Sequence, residues 1–256
     1  MKLRIWSTLC SALGVLTILA FAATAGAQVE KPATATCATL FGSNVCTSYQ
    51  MRDGKITQVT LRVPVAVMEN APANPAMVMP PHPDLDVPFA PVVRQQTGFT
   101  FASIWWEAHG HPPAAFMAPH FDLHFYFAPK QKIETINCKD TAKPSAVPAG
   151  YVLPDLTDPH LGKMIGACVP QMGMHAVPVA DATLKNGWKA SLIVGYYRQQ
   201  PKFFEPMVSN AALLQKHSFT LPVPRDIQPV DHVKYPKTFR AVYRPDIKAY
   251  DFTFFY

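Results

Sequence analysis

The densest potential for chemistry lies in Pro119-His120-Phe121-Asp122-Leu123-His124-Phe125-Tyr126-Phe127. Phe121, Leu123, Phe125 and Phe127 take the odd positions, and His120, Asp122, His124 and Tyr126 take the even ones. Alternation with a period of two describes a strand with one apolar and one polar face. A solvated face would carry Thr, Lys, Ser or Glu. Two imidazoles, a carboxylate and a phenol are instead a metal-ligand inventory. Extended geometry limits what they can share: residues two apart lie about 6.6 Å from each other, and residues four apart about 13 Å. His120 and His124 can hold one ion only if both reach inward, or if a bend after Pro119 or a bulge draws His120 closer.

Other donors complete the set. Glu107, His109 and His111 alternate at the end of the preceding strand and in its loop, and approach the His120 end if the two strands pair. His175 sits in a glycine-containing turn after Pro170. Glu205, within Phe203-Phe204-Glu205-Pro206-Met207, is a lone acid in apolar surroundings, a setting that calls for a partner. Ligand type and spacing predict one metal site at which His120, His124, His175 and Glu205 converge, with zinc first among divalent ions for so imidazole-rich a set. Glu205 would be the fourth ligand or the general base for a bound water. Asp122 joins the set by orienting a histidine. Tyr126 would donate to a substrate oxygen. His82, His160, His217 and His232 read as structural.

Other catalytic patterns are weak. The chain has no Gly-x-Ser-x-Gly elbow, no phosphate-binding glycine loop and no dinucleotide fingerprint. His109-Gly110-His111 has the His-x-His spacing of cupins, but Pro112-Pro113 breaks the strand a cupin needs there.

Strand signals supply the frame. Val45 to Gln50 and Ile56 to Val67 flank the Asp53-Gly54 turn as a hairpin. The span from Val63 to Pro91 holds Pro72, Pro75, Pro80, Pro81, Pro83 and Pro88, and reads as a wrapping loop with no long helix or central strand. Phe99 to Trp106, Phe121 to Phe127 and Trp188 to Tyr197 are further strands, and Pro206 to Lys216 reads as a short helix. Two alternating runs ending at Tyr243 and Tyr256 form a terminal hairpin. The predicted fold is mostly β, a sandwich or barrel of antiparallel sheets with long proline-bearing loops.

The N-terminus reads as a secretory signal: Lys2 and Arg4, an apolar stretch from about Leu9 to Ala23, then Ala25-Gly26-Ala27 before a cut at Gln28. Cleavage would leave a single domain of 229 residues, from 28 to 256, at net charge +4 rather than +6. No basic run suggests nucleic acid, and no later apolar stretch is long enough for a membrane span. The four cysteines beyond the signal imply two disulfides in an exported chain. Proximity around turn-forming residues favours Cys37–Cys46 and Cys138–Cys168, and the lack of C-x-x-C spacing argues against a cysteine zinc site.

Gly110-His111-Pro112-Pro113, the segment from Pro119 to Tyr126, Met172-Gly173-Met174-His175 and Phe204-Glu205-Pro206-Met207 together resemble a family of exported bacterial proteins typified by a periplasmic stress-regulon protein of Thermus. The resemblance runs from about Val45 to the C-terminal hairpin. It implies a mainly β, homo-oligomeric, periplasmic or secreted protein with a metal site, and supplies no reaction. The motif histidines fall on His111, His120, His124 and His175, and the motif acid on Glu205. Leu123 stands where the family pattern has Phe, and Trp106-Glu107-Ala108 where it has Trp-Asn-Pro, so Glu107 and His109 are not carried over. Three functions fit: a metal-dependent enzyme, a hydrolase among them, acting on a small molecule; a non-catalytic metal- or ligand-binding envelope protein; or a structural oligomer with a buried polar network. An open coordination position would mark the first and a closed shell the second.

Overall fold

The computed structural model describes residues 35–76, 81–158 and 160–256. The signal sequence called at 1–27 lies outside them.

Two antiparallel sheets pack face to face. The first, of six strands, contains β1 (Thr36–Leu40), β2 (Ser43–Arg52), β3 (Lys55–Pro64), β13 (Phe219–Pro222), β14 (Thr238–Arg244) and β15 (Ala249–Phe255), in the order β1-β2-β3-β15-β14-β13. The second has seven: β4 (Leu85–Pro88), β5 (Phe101–Glu107), β6 (His120–Tyr126), β7 (Tyr151–Val152), β10 (Met174–Pro178), β11 (Ala190–Tyr197) and β12 (Gln200–Ser209), in the order β4-β5-β6-β12-β11-β10-β7. A small ribbon pairs β8 (Leu156–Asp158) with β9 (Gly162–Met164). Neither sheet closes on itself, so the architecture is a sandwich and not a barrel.

One continuous core lies between the sheets. Val59, Leu61, Phe252 and Phe254 of the first face Phe121, Leu123, Phe125, Phe204 and Val208 of the second. Phe125 meets Phe254 edge-on at 4.9 Å, and Phe204 meets it at 5.5 Å. The alternation of β6 therefore resolves as read: Phe121, Leu123 and Phe125 enter this core, and His120, Asp122, His124 and Tyr126 line the opposite face. That opposite face is not solvated. Loops cover it, and every residue of β6 is buried.

Several element boundaries shift. The β2–β3 hairpin forms, but the chain leaves it at Pro64 into α1 (Val65–Glu69), because proline has no N–H with which to extend the ladder. The proline-rich span holds one short strand, β4, at a sheet edge where proline is tolerated. The helix expected from Pro206 is displaced. Its first residues extend β12, and α5 covers only Asn210–Leu214, capped by Ser209, whose hydroxyl accepts from the Ala212 N–H. Both favoured disulfides form, with Cα atoms 4.1 Å apart for Cys37–Cys46 and 5.9 Å apart for Cys138–Cys168. Cys37 and Cys46 are direct cross-strand partners of β1 and β2.

Leu123 is 1% exposed inside the shared core. Leu123→Ala should lower the unfolding free energy by about 2–5 kcal/mol in urea titration, since the packed surroundings cannot collapse into the gap. A change close to zero would place Leu123 outside the core.

Candidate metal centres

The pairing registers fix which side chains meet on the loop-covered face of the second sheet. Glu107 lies opposite His120, Trp105 opposite Asp122, Ser103 opposite His124 and Phe101 opposite Tyr126. On the other side of β6, Phe203 pairs with Tyr126 and Met207 with Asp122. The ladder between β6 and β12 breaks off after Phe204–Phe125 and resumes at Met207–Asp122. Pro206, which has no N–H to give, sits in that gap beside Glu205. Glu205 thus stands beside His124 on the same face, 1% exposed. His175 reaches the pair from β10, paired with Gly195 of β11. Gly195 must be glycine: a Cβ there would lie 2.1 Å from the Phe203 ring, which crosses this position and packs on His124 at 4.8 Å and His175 at 5.3 Å.

Two groups result, not one. His124, His175 and Glu205 form the first, and His111, His120 and Asp122 the second; within each, one ligand atom per residue lies within 4.8 Å of the others. The four-residue convergence of His120, His124, His175 and Glu205 is therefore corrected. β6 pairs with β5 in unbroken register from Tyr126 to His120, without the bend or bulge that convergence required. His120 and His124 stay at the separation an extended strand imposes, about 13 Å, and each finds its own partners. Asp122, expected to orient a histidine from behind, stands within the second group beside His120, where its carboxylate could itself serve as a ligand.

The second group depends on the loop after β5. Gly110, at φ +66°, lets the chain double back so closely that a Cβ would sit 2.3 Å from the Phe116 carbonyl oxygen. The His111 N–H donates to that oxygen at 3.2 Å, returning the imidazole over β6. The tautomers follow from the acceptors. His111 Nδ1 lies 2.9 Å from the Pro112 carbonyl and His120 Nδ1 lies 2.7 Å from the Ala118 carbonyl. A carbonyl only accepts, so both Nδ1 atoms carry a proton and both Nε2 atoms face inward. Those atoms are 3.1 Å apart. Asp122 oxygens lie 3.5 Å from His111 Nε2 and 3.2 Å from His120 Nε2.

The first group repeats the device. His175 Nδ1 meets the Ala167 carbonyl at 2.8 Å, leaving Nε2 bare at 3.6 Å from Glu205 Oε2. His124 Nε2 is also 3.6 Å from that oxygen. Neither ring nitrogen of His124, nor Glu205 Oε2, nor Asp122 Oδ1 has a hydrogen-bond partner among the described residues. Ligand atoms at about 2.0–2.1 Å from a tetrahedral zinc are about 3.3 Å from each other. Separations of 3.1–3.6 Å among potential ligand atoms facing a common point match that figure.

Electrostatics separates the two groups. Burial pushes His124 down to about 3 and His175 down to about 4, so both rings are neutral at ordinary pH. Burial, with Asp122 and Glu107 nearby, raises the Glu205 carboxyl well above its usual range. Burial likewise opposes charge on His111, but Asp122 and Glu107 outweigh it and hold the imidazolium up to about 9. Burial also acts against the Asp122 anion, yet His120 and His111 keep it far below the usual carboxylate range. Exposure differs as well: the His111 side chain is 34% exposed, whereas His124 and Glu205 are at 0% and 1%.

Tyr126 is buried and stacks on His124 at 5.4 Å, and it borders a cleft of about 220 Å³ with Trp105, Ser103 and Lys130. Glu107 is half-buried beside the second group, while His109, His82, His160, His217 and His232 are exposed and join neither. Sequence reasoning placed His111 and Asp122 in the site but missed the second point of convergence. The signal was present in the strand spacing, which already forbade a shared ion. Comparison with protein-family models, with curated proteins and with solved structures found no match.

Without metal, these groups set a pH optimum for stability. Unfolding lets His124 and His175 take up protons below about 6.5, which the folded state refuses until about 3 and 4, so stability falls as pH drops from 6.5 toward 4. The folded chain alone holds the Glu205 proton above about 4.5, against which the two histidines prevail up to 6.5, and alone holds the His111 proton above 6.5, so stability falls again as pH rises toward 9. Urea unfolding in EDTA should give a maximum near pH 6.5; a steady rise from pH 5 to 9 would contradict these assignments.

Proposed function

We propose that this chain is an exported metalloprotein carrying two divalent metal ions on one sheet face, zinc being the ion suited to each His/His/carboxylate set. The observation that supports it best is the pattern of bare acceptors. Three histidines give their Nδ1 proton to backbone carbonyls, which aims each Nε2 atom at a carboxylate and a second imidazole. Such outer hydrogen bonds are how metal-ligating histidines are oriented. Leaving several acceptors buried and unpaired is costly, and a cation at each point removes that cost.

The two centres suit different roles. His124, His175 and Glu205 lie beneath Phe203, Tyr126 and the covering loops, a setting for a closed, structural ion. His111 presents an edge to solvent, and the centre it forms with His120 and Asp122 can admit a water or a small-molecule substrate. A bound metal there would lower the pKa of water and polarise a carbonyl or phosphoryl oxygen, which is the basis for reading the protein as a hydrolase. In this reading Glu205 is a ligand, and Glu107 is the acid nearest the open centre. The two disulfides support a periplasmic or secreted setting, and among the described residues no helix is long and apolar enough to cross a membrane. Membership in the exported family that the motif resembles, with homo-oligomer formation, belongs to the same proposal.

Metal analysis of the protein without its signal, after dialysis against trace zinc, should give two ions per chain. His124→Ala or His175→Ala should remove one, His111→Ala or His120→Ala the other, and His217→Ala neither. A wild-type content near zero would replace the metal reading with a buried proton network.

A further inference from the structure

A cleft of about 670 Å³ lies away from both histidine groups. One wall is α3 (Lys130–Ile133) and the segment that follows it to Asp140; the other is the tip of the β11–β12 hairpin. Lys132, Lys139, Arg198 and Lys202 line it against one carboxylate, Asp140, which lies 3.6 Å from Arg198. No ion pair involves Lys132, Lys139 or Lys202 among the described residues. Lys202 is half-buried, and its ammonium is disfavoured by burial and by the charges of Lys132 and Arg198. A cation held in such a place is short of a counter-charge.

Two further features hold these cations in position. The hairpin tip is Arg198-Gln199, with φ of +50° and +63°. Two-residue turns of this kind ordinarily use Asn-Gly, because side chains with a Cβ resist the left-handed region. Backbone strain of this type gathers at functional sites. It directs the chain so that Arg198 lies over the Tyr197 ring at 5.7 Å, at the rim of the cleft. On the opposite wall, Cys138 is tied to Cys168, which anchors its neighbours Asn137 and Lys139.

We propose that this cleft is a binding site for a phosphate-bearing small molecule, held by Lys132, Lys139, Arg198 and Lys202. The volume is that of a ligand pocket. Converging ammonium and guanidinium groups fit an oxyanion carrying two or more charges, with arginine giving paired hydrogen bonds and lysine a point charge. The pocket is closed on two sides and its cations are not laid out along a groove, which favours a small ligand over a polymer. This inference does not rest on the metal reading.

The test is titration calorimetry on the disulfide-intact protein at fixed ionic strength, with pyrophosphate, inorganic phosphate and sulfate as probes. The protein is first stripped of metal with EDTA and the chelator, itself a polyanion, is removed by dialysis, so that no ligand can bind through a metal and no chelator competes. Saturable 1:1 binding of pyrophosphate is expected, tighter than that of phosphate or sulfate. Arg198→Gln, at an exposed turn, and Lys202→Met should each weaken it about tenfold or more. Lys55→Gln, at the far β2–β3 turn, should leave it unchanged. The inference is overturned if no saturable heat appears with the metal-free protein, if sulfate binds as tightly as pyrophosphate, or if both cleft variants bind like the wild type.

Discussion

Everything at the candidate centres follows from the burial of β6 on both faces. A strand with one apolar face normally leaves the other to water, and polar side chains there need nothing from the protein. Here loops close over the polar face, and His120 and His124 lose all exposure. Imidazoles and carboxylates cut off from water must satisfy one another or hold a cation. Strand geometry then decides how they group. Side chains four apart share a face but stay about 13 Å apart, so His120 and His124 must belong to separate clusters, each completed from elsewhere in the chain.

The completing residues come from places the fold has prepared. The loop after β5 returns His111 because Gly110 permits a contact that no Cβ would allow. Pro206 interrupts the β6–β12 ladder beside Glu205, and Gly195 clears space for the Phe203 ring between His124 and His175. The Cys138–Cys168 disulfide lies one residue beyond Ala167, whose carbonyl orients His175. The same bond anchors a wall of the basic cleft. One covalent tie thus steadies a candidate metal ligand and two residues that line the proposed anion site, and is consistent with an exported chain.

Much of the frame was legible in the sequence because it rests on local rules. Alternation gave β6 its correct face, turn residues marked the hairpins, and cysteine proximity gave both bridges. The failures were non-local. Pro206 read as a helix start because proline is excluded from central strands by default, and only the neighbouring strands show that a missing N–H is tolerated here. The division into two centres was implied by the His120–His124 spacing. The partners that complete each centre, however, depend on a sheet order that places β12 between β6 and β11, and no short-range pattern encodes that order. Glu107 lies outside the family motif, yet its register opposite His120 puts it beside the group of His111, His120 and Asp122. The basic cleft left no sequence signal, since its four cations come from segments about 60 residues apart and form no run.

The central claim is that β6 serves two separate metal points. Anomalous diffraction at the zinc edge, from crystals of the protein grown with zinc, addresses it directly. The account predicts two resolved peaks, one among His111, His120 and Asp122 and one among His124, His175 and Glu205. A single peak shared by His120 and His124, or no peak at either triad, would contradict it.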